Sequence, residues 1–188
     1  LRLGTDYLDL YLIHRFDYNV SIEETMEALN DLVKSGKVRV LGSSSILAYQ
    51  MLMYQNIAKE KGYARFEVME NHYNLLYREE EREMIPLCKE LDVSLIPYSP
   101  LAAGHLARIN WDSDSIRSLS DDVAKRRYDA FEDVDKLIVE RVAELAKKRN
   151  IKMSEVALSW LYKKGVASPI IGASKTKYID DAINALNV

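Results

Sequence analysis

The sequence predicts an α/β fold built on a parallel sheet, and three observations carry that prediction. Short, nearly continuous apolar runs recur at residues 8–13, 38–41, 66–70, 93–96 and 169–171, which is how strands covered on both faces read. Stretches with helical spacing separate them, and strands alternating with helices argue for βα units. Each run closes on polar or aromatic residues, and chemistry in parallel α/β folds collects beyond the carboxyl ends of the strands.

The elements follow in order. The first run, inside TDYLDLYLIHRFD, carries Leu8, Leu10, Leu12 and Ile13 and ends on His14. Ser21 and Glu24 make an S-x-x-E capping box. Ile22, Met26, Leu29 and Val33 then recur at helical spacing, and Gly36 stops the helix. The second strand leads into Gly42, Ser43, Ser44 and Ser45, and a helix over 48–61 is punctuated by Gly62. The third strand leads into Asn71, His72, Tyr73 and Asn74. Glu79 to Glu83 supply acid to the start of a helix whose apolar face is Met84, Cys88 and Leu91, with Pro86 near its first turn. The fourth strand closes on Pro97, Tyr98, Ser99 and Pro100.

Residues 104–133 break the rhythm. They are polar, rich in aspartate and without a strand pattern, so a mobile loop insertion containing a short helix is expected there. Ile138, Val142 and Leu145 then define a helix face, and Ser154 caps a helix with Ala157, Trp160 and Leu161 that ends at Gly165. A fifth strand at 169–171 and a last helix over 178–186 complete the chain. Five strands suit either a portion of a TIM barrel, which needs eight βα units and typically about 250 residues, or a flavodoxin-like open sheet.

Composition narrows the function classes. The 188 residues are 48% hydrophobic and 29% charged, as in an ordinary globular domain. A net charge of −3 and a pI near 5.7 give no support to nucleic-acid binding, which wants a basic face. No apolar run approaches a membrane span, and a signal peptide is not expected. One cysteine, Cys88, rules out an internal disulfide and fits a reducing compartment, so a cytoplasmic location is expected. His14, His72, His105 and Cys88 are scattered without metal-ligand spacing, and no GxGxxG, P-loop or nucleophile elbow occurs.

Asp6, Tyr7, Asp9, Leu10, Tyr11, Ile13 and His14 resemble the DYxDLYxIH pattern of the aldo-keto reductase family, in which the fourth barrel strand ends on the catalytic histidine. The later strand ends resemble the same family. Ser44 and Ser45 match a Gly-x-Ser-Ser whose last two residues hydrogen-bond the nicotinamide carboxamide, and Glu70-Asn71-His72-Tyr73-Asn74 matches Gln-x-x-Tyr-Asn with Glu70 in the Gln position. A carboxylate accepts from the carboxamide NH₂ but cannot donate to its carbonyl. Residues 96–102 resemble the IPxSPLA motif, which implies that Tyr98 stacks on the nicotinamide and that Ser99 and Leu101 meet the pyrophosphate. Gly172, Ser174, Lys175, Tyr178 and Asp181 resemble the adenosine-phosphate site, with Ala182 where the family often has Asn. A lysine beside a small hydroxyl suits a 2′-phosphate, so NADP is expected over NAD. His72 reads as a packing or surface residue.

The resemblance implies a single TIM (β/α)8-type domain fragment over 1–188, an incomplete barrel of about five βα units corresponding to the fourth to eighth, with the first three missing. It implies an NADP-dependent oxidoreductase that reduces aldehydes and ketones, in which His14 polarises the carbonyl. The family's proton-donating tyrosine, with its lysine and aspartate, finds no match here, so the chain alone is expected to be inert. The alternative is a non-catalytic, NADP-binding regulatory subunit resembling potassium-channel beta subunits. Expected partners are a small-molecule carbonyl substrate, and either a second copy or the missing N-terminal half to cover exposed strand edges. No nucleic acid, membrane or metal is expected.

Overall fold

A computed structural model describes residues 3–110, 122–128 and 131–188. The chain divides into two compact units, Leu1–Asn71 with Glu80–Ile96, and His72–Glu79 with Pro97–Val188.

The first unit is a four-stranded parallel sheet in the order β1 (Leu8–Ile13), β2 (Val38–Ser44), β3 (Phe66–Glu70), β4 (Ser94–Leu95). Consecutive strands are neighbours and run parallel, so helices must carry the chain back. These are α1 (Ile22–Lys34), α2 (Ala48–Lys61) and α3 (Met84–Glu90). Ser21 caps α1 by accepting from the Glu24 amide at 3.1 Å. Gly62 ends α2 with φ +65°, a left-handed position that glycine takes without a Cβ clash. Met26, Leu41, Met51, Phe66, Met69 and Cys88 are buried between the layers.

Several expectations need correction here. β2 does not stop at Leu41 but continues through Gly42 and Ser43, paired to β1 and β3 on both sides, and Ser44, paired to β3. The close approach at Gly42 makes this a glycine position: a Cβ there would stand 2.4 Å from Leu12 Cδ2 and 2.8 Å from the Val68 carbonyl oxygen. The acidic run does not start α3. Glu79–Glu81 form a separate 3₁₀ turn, and α3 begins at Met84.

The second unit holds α4 (Asp122–Tyr128), α5 (Glu132–Arg149), α6 (Met153–Lys163) and α7 (Thr176–Asn184). Its core gathers Ala102, Leu106, Tyr128, Val139, Val142 and Ala157. The buried face of α5 is Val139, Val142 and Ala146, while Ile138 and Leu145 line an apolar cleft of about 320 Å³ with Leu75 and Trp160. The predicted residues Ile138, Val142 and Leu145 do share a face, the one lining this cleft, while the fully buried stripe runs beside it through Val139, Val142 and Ala146. Ser154 does not cap α6. The cap is Lys152, whose amide donates to the Glu155 carboxylate at 3.0 Å.

The fifth strand is reduced to one parallel bridge between Tyr98 and Ile170, with the Ile170 amide donating to the Pro97 carbonyl at 2.8 Å. Pro169 brings no N–H, which shortens any ladder there. Of the predicted insertion at 104–133, residues 111–121 and 129–130 lie outside the described residues. The rest includes the end of a 3₁₀ stretch, Ala102–Ala107, and the short helix α4. Among the described residues no helix is long and apolar enough to cross a membrane.

Candidate active and cofactor site

In the first unit the predicted residues collect at one end of the sheet. His14 follows the last residue of β1 and is exposed, Ser44 ends β2, and Glu70 ends β3. Parallel register makes Ser44 and Glu70 partners, and Ile13, next to His14, pairs with Ser43. Ser44 is buried, with its hydroxyl 3.5 Å from that of Ser45. Ser45 takes a left-handed φ of 51°, and its amide donates to the Glu70 carbonyl at 3.1 Å. Left-handed backbone at a non-glycine residue is held only where surrounding bonds over-determine it, and it clusters at functional sites. Below this layer the Ser43 hydroxyl donates to Met69 Sδ at 3.1 Å. Cys88 is buried, and burial followed by the nearby Glu80 charge pushes its thiol up to about 12, which leaves it unreactive.

In the second unit Tyr98 is half-buried and surrounded by aromatic groups. The His72 imidazole stacks on it at 5.3 Å and 10°, and on Tyr77 at 4.3 Å and 20°. The Arg127 guanidinium lies over the Tyr98 ring, 5.5 Å from its centroid. His72 Nε2 is 2.7 Å from the Tyr128 hydroxyl. Burial first, and the Arg127 charge second, lower the imidazole to about 4, and burial likewise raises the Tyr128 phenol. Of the two readings for His72, packing or surface, burial selects the first, with a specific partner in Tyr128.

Ser99 follows with φ 53°, and Ala102 and Ala103 are also left-handed. Asn74 pins this turn. Its Nδ2 donates to the Ser99 carbonyl at 2.9 Å, and its Oδ1 accepts from the Leu76 and Tyr77 amides at 2.9 Å each. Leu101 is half-buried against the unit's core. Tyr98 bridges to Ile170, two residues before Gly172, so the aromatic residue and the start of the predicted phosphate loop are neighbours within this unit. Gly172, Ser174, Lys175 and Tyr178 are exposed, and the Asp181 carboxylate is ion-paired by Lys152. Sequence reading missed Tyr128, Arg127 and Lys152. Tyr128 and Arg127 sit in a stretch with no periodic signal, and Lys152 lies 29 residues from its partner.

The aldo/keto reductase family model matches residues 1–188. The chain is 53% identical to an aldo-keto reductase of Fusarium vanettenii over 98% of its length and 50% of that protein's. It is 48% identical to a putative aryl-alcohol dehydrogenase of Schizosaccharomyces pombe, over all of its length and 52% of the relative's. Against the versiconal hemiacetal acetate reductase of Aspergillus parasiticus it is 44% identical, again over its whole length and 54% of the other chain. It spans about half the length of the curated relatives it matches. The chain belongs to the aldo/keto reductase family.

Proposed function

We propose that the protein carrying this chain is a nicotinamide-dependent oxidoreductase that reduces aldehydes or ketones to alcohols, with NADP as its cofactor. One observation carries the reading: His14, Ser44, Ser45 and Glu70 stand at the carboxyl end of one parallel sheet, in a chain of this family. The residues present fit a dinucleotide. Tyr98 is a half-buried aromatic residue with His72 stacked on its ring and Arg127 over it, and Gly172–Lys175 is an exposed run with a hydroxyl, a cation and open space around the Gly172 α-carbon.

When bound, the nicotinamide supplies the hydride. His14 donates a hydrogen bond to the carbonyl oxygen and polarises it, which is electrostatic stabilisation of developing negative charge. By the family resemblance Ser44, Ser45 and Glu70 would hold the carboxamide and Tyr98 would stack on the ring. Ser99 and Leu101 would meet the pyrophosphate. Ser174 and Lys175 would hold the 2′-phosphate, and Gly172, Tyr178 and Asp181 the adenosine. Glu70 can only accept, so it adds one negative charge beside an anionic ligand. Three of the relatives are named putative aryl-alcohol dehydrogenases, so an aryl aldehyde is the first substrate to offer.

The test is NADPH consumption by the full-length protein given an aryl aldehyde. The expected result is turnover that falls on the order of 100- to 1,000-fold in His14→Ala. Tight NADPH binding without turnover of any carbonyl compound would replace this reading with a non-catalytic NADP-binding subunit. Tighter binding of NADH than of NADPH would overturn the cofactor assignment.

A further inference from the structure

We propose that His72 and Tyr128 are positioning residues for Tyr98, a buried second layer that orients the platform ring and ties α4 to it. This rests on the nicotinamide-stacking role proposed for Tyr98. Tyr77, His72 and Tyr98 form a stack of three nearly parallel rings. Stacking alone leaves a ring free to slide in its own plane, because offset geometries are close in energy. Here the middle ring is fixed within that plane by the 2.7 Å hydrogen bond between His72 Nε2 and the Tyr128 hydroxyl. The His72 and Tyr98 backbones are also paired in a parallel bridge, so the two rings share a register as well as a contact.

Asn74 closes the arrangement. The same amide nitrogen that donates to the Ser99 carbonyl at 2.9 Å lies 3.2 Å from the Tyr128 hydroxyl. The residue after the platform and the hydroxyl behind it therefore share one anchor. His72, Asn74 and Tyr128 are all buried while Tyr98 is half-exposed, which is the layering of a supported contact surface rather than of a core aromatic. α4 reaches the platform twice, through Tyr128 by way of His72 and through Arg127 over the Tyr98 ring. Removing the Tyr128 hydroxyl should loosen the platform without changing any group that touches the adenosine end.

Two ligands separate a positioning role from a general structural one. NADPH uses both ends of the site, whereas 2′,5′-ADP carries the 2′-phosphate and lacks the nicotinamide. Their affinities are to be measured on the wild-type protein, Tyr128→Phe and His72→Phe. Tyr128→Phe loses only the hydroxyl, and His72→Phe keeps a stacked ring but loses the bond. The expected result is roughly five- to tenfold weaker NADPH binding in both variants, the loss of one buried hydrogen bond, with 2′,5′-ADP binding within about twofold of wild type. Equal weakening of both ligands, or unchanged NADPH affinity, would overturn the proposal. A wild-type protein that binds neither ligand would overturn the cofactor reading itself, and this inference with it.

Discussion

At the scale of single residues, burial of His72 makes folding depend on pH. Its imidazole faces Tyr77, Tyr98, Tyr128, Asn74 and the Arg127 cation, with no carboxylate among these partners. The group titrates near 6.5 in the unfolded chain and about 4 when folded. The unfolded state therefore binds the proton first, and the stability contributed by neutral His72 is fully present above about pH 6.5. It drains away as pH falls toward 4, for a loss of about 3 kcal/mol at most. Urea unfolding at pH 7 and at pH 4.5 should show wild type losing more stability than His72→Phe over that interval. Parallel losses in the two proteins would show that His72 is not the titrating group. His72 was legible in sequence only as a packing or surface residue. Its partner Tyr128 lies 56 positions away, and no local pattern announces a hydrogen bond across that distance. The places of His14 and Glu70 were legible because local apolar runs mark where β1 and β3 end, whereas Ser44, beyond the apolar run at 38–41, was named only through the family resemblance.

At the scale of elements, α2 shows why a helix can be placed from sequence while its faces cannot. Its span was fixed by Gly62 and its flanking runs, yet it buries Gln50 and Gln55 and exposes Tyr49, Leu52 and Met53. Apolar patterning assumes that polar groups seek water, and both glutamines instead serve backbone. Gln50 accepts from the Leu47 amide at 2.8 Å. Gln55 acts in place of a neighbouring strand, since its Nε2 donates to the Phe66 carbonyl at 2.9 Å and its Oε1 accepts from the Phe66 amide at 3.0 Å. These bonds sit where the β2–β3 register slips, between Leu41 and Gly42. Gln55→Leu keeps the volume and strands two backbone groups, each worth about 1–3 kcal/mol when left unsatisfied. A loss of about 2–4 kcal/mol in urea unfolding is expected, with Gln55→Glu, which keeps the acceptor, falling between. A Gln55→Leu protein as stable as wild type would mean that Phe66 finds other partners.

At the scale of the whole molecule, the family's TIM (β/α)8 fold accounts for the parallel sheet and its helices, of which this chain holds an incomplete portion. The five predicted strands became four and a bridge because a run of three residues headed by proline cannot sustain a ladder. Among the described residues the sheet ends on two edge strands, β1 and the two-residue β4, and β1 is the longer. The Leu8 amide points inward, to the Lys37 carbonyl at 2.8 Å, and parallel strands alternate their bonding sides residue by residue. Leu10 and Leu12 therefore also face β2, while Asp9, Tyr11 and Ile13 turn their backbone groups outward. An unpaired edge of this kind is a template for another strand. The only charge on it is Asp9, and that is held by Arg39 at 2.8 Å. The 188-residue polypeptide by itself should therefore associate as its concentration rises. Tyr11→Pro should suppress this, because proline is tolerated where an edge N–H faces outward and removes the donor that pairing needs. Light scattering and size-exclusion elution across a concentration series measure the association, and far-UV circular dichroism checks that the β1–β2 pairing survives. Association that persists unchanged in Tyr11→Pro would move the contact away from the sheet edge, to a surface such as the apolar cleft beside α5.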